Sequence, residues 1–170
     1  MKTLKLFFAA AITLICFNSC GPLLPASITK IENVEDYKFF CMEDTKELTS
    51  SSGSVFNNGT PYGTFGTNVS KSVNPSDVIS GYLIKKGFIR LPNINPELAD
   101  NTLIVNYGES GKRGTGLGGY TIEVTIQFVS VKTHNVICTC SAEGQGETEA
   151  DDIRIAIKRC LDTVFGIQEY

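Results

Sequence analysis

Residues Tyr120 to Phe128, YTIEVTIQF, alternate without a break. Tyr120, Ile122, Val124, Ile126 and Phe128 fall on one side, and Thr121, Glu123, Thr125 and Gln127 on the other. A period of two marks a strand with one face in a core and the other in water. Laid on a helix, the same residues would scatter the apolar set around the whole circumference. The chain must therefore build a sheet with one apolar face.

The neighbouring segments extend that sheet. Thr102 to Tyr107 puts Leu103, Val105 and Tyr107 on one face, and Val136 to Ala142 does the same with Val136, Cys138, Cys140 and Ala142. Lys132 to Asn135 reads as the turn between the last two strands. At Val129 and Val131 the apolar set changes face, which suggests a bulge or a sheet edge covered on its second side. Upstream, Asp36 to Met42 reads as a first strand with Tyr37, Phe39 and Cys41 facing inward. Phe88 to Leu91 reads as a short strand closed by Pro92, Asn93, Asn95 and Pro96. Residues 44 to 72 are rich in Ser, Thr, Asn and Gly and read as a long loop or irregular hairpin turning at Asn57-Asn58-Gly59.

Two helices complete the set. Asn74 can cap the first, Pro75 takes its first position, and Asp77 complements the positive end of its dipole. Val78, Ile79, Tyr82 and Leu83 form its stripe, and Gly87 ends it after Lys85 and Lys86. After a linker, Glu143 to Glu147, Thr148 and Asp151 resemble a capping box. Ala150, Ile153, Ile157, Cys160, Leu161 and Val164 then recur at spacings of three and four. The expected fold is α+β: a two-layer sandwich with a mainly antiparallel sheet of four to five strands and two helices on one face.

The N-terminal residues speak to address. Lys2 and Lys5 precede an apolar run from Leu6 to Phe17, which is signal-peptide length and too short to span a bilayer. FNSCG follows, with Ser19 before Cys20 and Gly21 after it, the order required for lipoprotein processing before a cysteine, although Phe17 stands where leucine is common. Cleavage there would leave Cys20 as an acylated first residue tied to a membrane. The alternative is an ordinary signal peptide cut near Ser19 or Ala26. The expected organisation is a lipoprotein signal peptide over 1–19, a lipidated tether over 20–30, and one domain over 31–170. Losing 1–19 removes two lysines and no acid, so the formal net charge moves from −3 to −5. Without a basic face, nucleic acid is not an expected partner.

The stretch NYGESGKRGTGLGGY, 106–120, spells two phosphate-binding motifs at once. Gly108 to Lys112 reads GESGK, and Gly114, Gly116 and Gly119 have the spacing G-x-G-x-x-G. A P-loop needs a glycine where Asn106 stands and a serine or threonine where Arg113 stands. A dinucleotide fingerprint must open a helix, and here a strand follows. The reading is a long glycine-rich hairpin loop, 108–119, with Lys112 and Arg113 at its tip available for contacts. Other chemistry is sparse. His134, the only histidine, sits in a turn, and Asp151 and Asp152 adjoin a helix N-terminus, so no catalytic constellation emerges and no enzyme activity is expected. Cys138 and Cys140 are spaced C-x-C, which with a lone histidine does not make a zinc set. No metal or cofactor is expected. Cys41, Cys138, Cys140 and Cys160 are an even number in an exported chain and permit disulfides, a bridge from Cys138 or Cys140 to Cys160 foremost, with buried free thiols as the alternative.

With FNSCG, VNPSDVISGYLIKKGF, YTIEVTIQF and EADDIRIAIKRCLDTV in view, the chain resembles the small lipoproteins of Bacteroides-type bacteria. In element order it is similar to the N-terminal envelope domain of the Tol-system propeller protein and to auxiliary lipoproteins of transporters. That resemblance implies a non-catalytic role in interaction or assembly in a bacterial envelope, anchored at the outer membrane and facing periplasm or surface, with an envelope protein as partner. The alternative is an exported domain that binds a small ligand or nucleotide through the glycine-rich loop 108–119.

Overall fold

The computed structural model describes residues 22–56, 65–116 and 119–167. Cys20 and the Asn57-Asn58-Gly59 turn lie outside the described residues. In chain order the elements are β1 (Ser27–Lys30), β2 (Phe39–Cys41), β3 (Leu48–Phe56), β4 (Phe65–Val73), α1 (Pro75–Lys85), β5 (Ile89–Arg90), β6 (Thr102–Gly116), β7 (Gly119–Ser130), β8 (Val136–Gly144) and α2 (Glu149–Val164), with short 3-10 turns at Val34–Asp36 and Pro96–Asn101.

Six strands form one sheet in the order β1-β8-β7-β6-β2-β5, and β3 and β4 form a separate antiparallel ribbon. The β6-β7-β8 meander is antiparallel, and β1 adds to β8 antiparallel. On the other side β2 pairs parallel with both β6 and β5. The expected mainly antiparallel sheet of four to five strands is thus corrected to a six-stranded mixed sheet plus a two-stranded one, and only the broad α+β character stands. The reason lies in the connections. Parallel neighbours need a crossover, and between β2 and β5 the chain runs through the ribbon and α1 before it returns.

Two further expectations shift. Ser27–Lys30, read as tether, is an edge strand, its residues aligned with Ser141 to Cys138 of β8. In β2 the inward residue is Phe40, fully buried opposite Leu103, whereas Phe39 and Cys41 face the other way with Thr102 and Ile104. The Ser/Thr-rich region expected as a loop or irregular hairpin supplies the β3–β4 ribbon. The bulge expected near Val129 is present between Phe128 and Val129.

The core lies between the sheet and the helices. Val105, Ile122, Val124, Ile126, Phe128, Cys138, Cys140 and Ala142 meet Ile79 and Leu83 of α1 and Ala150, Ile153, Ala156, Ile157, Cys160 and Leu161 of α2. Asn74 caps α1, its Oδ1 accepting from the Ser76 amide at 3.2 Å, and the Thr148 hydroxyl accepts from the Asp151 amide at 3.3 Å to open α2. The helices are joined by the Tyr82 hydroxyl, which donates to Asp162 Oδ1 at 2.8 Å, and by the tilted stacking of Tyr82 on Phe165, centroids 5.8 Å apart. Where α2 crosses β8, Gly144 lies so close that a Cβ there would sit 1.8 Å from the Asp152 carbonyl oxygen. The ribbon leans on the start of α2: Lys71 Nζ reaches Asp151 at 2.8 Å, and the Ala150 amide donates to Ser50 Oγ at 2.9 Å.

Candidate functional site

The glycine-rich stretch is strand, not loop. β6 runs to Gly116 and β7 begins at Gly119, with irregularities between Glu109 and Gly111 and between Gly114 and Gly116. Glycines tolerate those two departures, and Gly116 adopts a positive φ of 88° just before the turn. The sequence misleads because the alternation that marks a strand disappears when Gly108, Gly111, Gly114 and Gly116 put a residue without a side chain at every second or third position.

Lys112 and Arg113, expected at a free tip, are both engaged on the paired strand. Lys112 Nζ donates to Glu149 Oε1 at 2.9 Å and lies 5.1 Å from the centroid of the Tyr120 ring. Arg113 meets the end of β8 through a two-pronged pair with Glu143, Nε to Oε1 and Nη2 to Oε2, each 2.6 Å. This geometry matches the planar fork of the guanidinium to the carboxylate and makes the pair strong and directional.

Around that pair the start of the domain is fastened. The Arg113 guanidinium donates to the Pro22 carbonyl at 3.2 Å, and the Leu24 amide donates to Glu143 Oε2 at 2.9 Å. From α2, Arg159 donates to the Leu24 carbonyl at 3.1 Å and to the Glu143 carbonyl at 2.6 Å. Two arginines and a glutamate from three elements thus hold the backbone of Pro22 to Leu24 at one corner of the sheet. Sequence reading named Arg113 but missed Glu143 and Arg159. The available signal was a glutamate closing a strand of small and apolar residues.

Glu143 is buried, and its carboxyl titrates at about 2, held down first by the Arg113 guanidinium and further by the Leu24 amide, against the opposing effect of burial. A carboxyl depressed on folding stabilises the fold above its unfolded value near 4.5 and loses that contribution as pH falls from there toward 2. We expect the Tm of the wild-type domain to drop between pH 5 and 2.5 more steeply than that of Glu143→Gln. Differential scanning calorimetry checks this, and parallel pH profiles would contradict it.

The cysteines are placed as follows. All four described cysteines are buried free thiols, with no disulfide among them. Cys140 and Cys160 are brought together, the Cys140 thiol donating to the Cys160 carbonyl at 3.3 Å instead of forming the expected bridge. The Cys160 thiol is pushed up by its hydrogen bond with Cys140 and by burial, and burial raises Cys138 to about 11, so these groups are held as thiols. Cys41 lies on the opposite face of the sheet from Phe40 and its core neighbours, which separates it from the other three. Among the described residues no group of histidine, cysteine or carboxylate side chains could hold a metal ion.

A concavity of about 800 Å³ opens where parallel strands β2 and β5 end and is lined by Cys41, Asp44, Arg90, Ile94, Ile104 and Asn106. Among its described lining residues the one cation is occupied: Arg90 donates to Asp44 Oδ1 at 2.6 Å and to the Met42 carbonyl at 3.4 Å. No described helix is long and apolar enough to cross a membrane.

No family model matches the chain, and no curated protein is similar to it. Among solved structures, the chain is similar to a PelC L103M dodecamer from Paraburkholderia phytofirmans, at 14% identity over 82% of this chain and 95% of that one, with a TM-score of 0.47. A PelC dodecamer from the same organism in another crystal form gives 13% identity, the same coverage and a TM-score of 0.42.

Proposed function

We propose that this chain is a non-catalytic lipoprotein of a bacterial envelope, anchored through acyl groups on Cys20, which works by binding another envelope protein. The observation that carries the reading is the fastening of Pro22 to Leu24. A chain tethered at Cys20 transmits position to its domain only if the following residues are fixed, and here fixation begins two residues after the cysteine. A free-swinging linker would need no such set of charged contacts.

The surface supports a binding role. On the sheet face turned away from the helices, half-exposed Thr125 and Gln127 of β7 align with Ser141 and Thr139 of β8, half-exposed Glu123 stands opposite buried Glu143, and Thr125 and Ser141 share a hydrogen bond of 2.7 Å. Such a row of donors and acceptors along neighbouring strands suits a protein surface better than a small molecule, which needs a concave site. The alternative, a small ligand in the glycine stretch, loses its basis because Lys112 and Arg113 are paired to Glu149 and Glu143 and the stretch is a strand paired with β7.

Intact mass and membrane fractionation of the full-length chain expressed in a bacterium test this reading, beside Cys20→Ala. The expected result is a mature chain that starts at Cys20, carries acyl mass and sediments with membranes, with the variant released. A soluble wild-type chain bearing unmodified Cys20 would overturn the anchor.

A further inference from the structure

Exposed large aliphatic side chains gather in two places among the described residues, Ile84, Ile89 and Ile94 on and around β5 and a second group near the anchor. Leu24, Ile28 and Ile31 are 53%, 40% and 73% exposed, and all lie within eight residues at or beside the β1 edge. Lys30 is the only charged residue in that strand. Val136, also exposed, begins the neighbouring strand β8. The outer side of β1 has no strand against it among the described residues, so these side chains lie at or beside an open edge. In water such an edge is a liability that chains usually blunt with charge or cover.

The anchor supplies a cover. Cys20 precedes Pro22 by two residues, which at full extension span about 7 Å. Pro22 and Leu24 are themselves bound to the sheet corner by Arg113, Glu143 and Arg159. Acyl chains on Cys20 would therefore bring the bilayer surface to the beginning of β1 and leave the domain little freedom to swing clear of it.

We propose that the β1 edge lies against the bilayer, with Leu24, Ile28 and Ile31 at the boundary between headgroups and acyl chains. This inference rests on lipidation of Cys20 and adds an orientation to it. The opposite edge of the sheet, β5, is five strand spacings away, roughly 24 Å, and points to water. Interfacial burial of a few apolar side chains, added to an acyl anchor, is the two-signal logic by which such attachments become stable.

The chain contains no tryptophan, so a single one is a clean reporter. Ile28→Trp and Ile31→Trp place it on the β1 edge, while Ile89→Trp and Ile94→Trp, at positions 45% and 49% exposed, place it on or just beyond β5. Each lipidated full-length variant is purified, its acyl mass recorded, and reconstituted in vesicles of phosphatidylethanolamine and phosphatidylglycerol containing brominated phosphatidylcholine. We expect quenching at positions 28 and 31 to exceed that at 89 and 94 by about threefold or more, since only groups at the acyl boundary meet the bromine. Equal quenching at all four positions, or stronger quenching at 89 and 94, with acyl mass present, would overturn the orientation and leave the lipoprotein reading intact. Absence of acyl mass would overturn that reading and this inference with it.

Discussion

Gly144→Ala should lower the stability of the domain by about 3 kcal/mol or more, the upper end for inserting a methyl group into a filled space. The added Cβ would stand 1.8 Å from the Asp152 carbonyl oxygen and 2.7 Å from the Ala156 amide nitrogen. Both are helix backbone, so no side-chain rotation relieves the overlap, and α2 must move off β8. That movement also disturbs Asp152, buried and accepting from the Gly146 amide, and Arg159, which holds the Glu143 carbonyl. For a chain of this size the Tm should fall by roughly 10 °C. Gly81→Ala is the matched control: it lies within α1, has nothing within 4 Å of the new methyl, and should be neutral or stabilising by up to about 1 kcal/mol. Thermal melts of both variants decide the matter, and a wild-type Tm for Gly144→Ala would show that helix and strand are not in this contact.

Phe40→Ala should be comparably damaging, about 3 to 5 kcal/mol, whereas Phe39→Ala should cost about 1 kcal/mol. Phe40 is fully buried opposite Leu103 and belongs to the central cluster, while Phe39 is half-buried on the far face beneath Lys38, whose Nζ lies 5.9 Å from its ring. Urea midpoints separate the two, provided the slopes agree. If Phe39→Ala proved the costlier, β2 would be paired one residue out of step, since a shift by one exchanges the two faces of a strand.

That pair also shows where sequence reading reaches its limit. In Tyr120 to Phe128 nine alternating residues vote on one register, and the core residues Ile122, Val124, Ile126 and Phe128 could be named in advance. In YKFFC two phenylalanines adjoin, so each face has an apolar candidate and a three-residue strand has no majority. The helices were legible for a different reason. Their ends are written in local chemistry, Asn74 with Pro75 and Thr148 with Asp151, and their stripes are long enough to average out exceptions. The parallel placement of β2 between β6 and β5 was not legible, because no local signal records which distant strand will be a neighbour. The site suffered from the same gap. Arg113 could be noticed, but its value depends on Glu143, thirty residues later, and on Arg159 on a helix. The glycine spelling drew the eye to a motif whose surroundings, a strand on each side, already argued against it.

The order of strands in space has a consequence for how the chain comes to be folded. β1 is made first, yet Ser27 finds its neighbour in Ser141, and β2 waits for both β6 and β5. At common rates of synthesis the ribosome needs on the order of ten seconds to make the stretch that separates those partners. Through that interval the apolar residues of the first forty or so positions have no sheet to join, while the β6–β7–β8 meander and α2, made last and close together in the chain, can assemble at once. The C-terminal part is therefore the template, and the N-terminal strands are late guests. A chain cut short before β8 would leave β1 without its neighbour, which makes such truncated copies natural clients for holding chaperones and proteases.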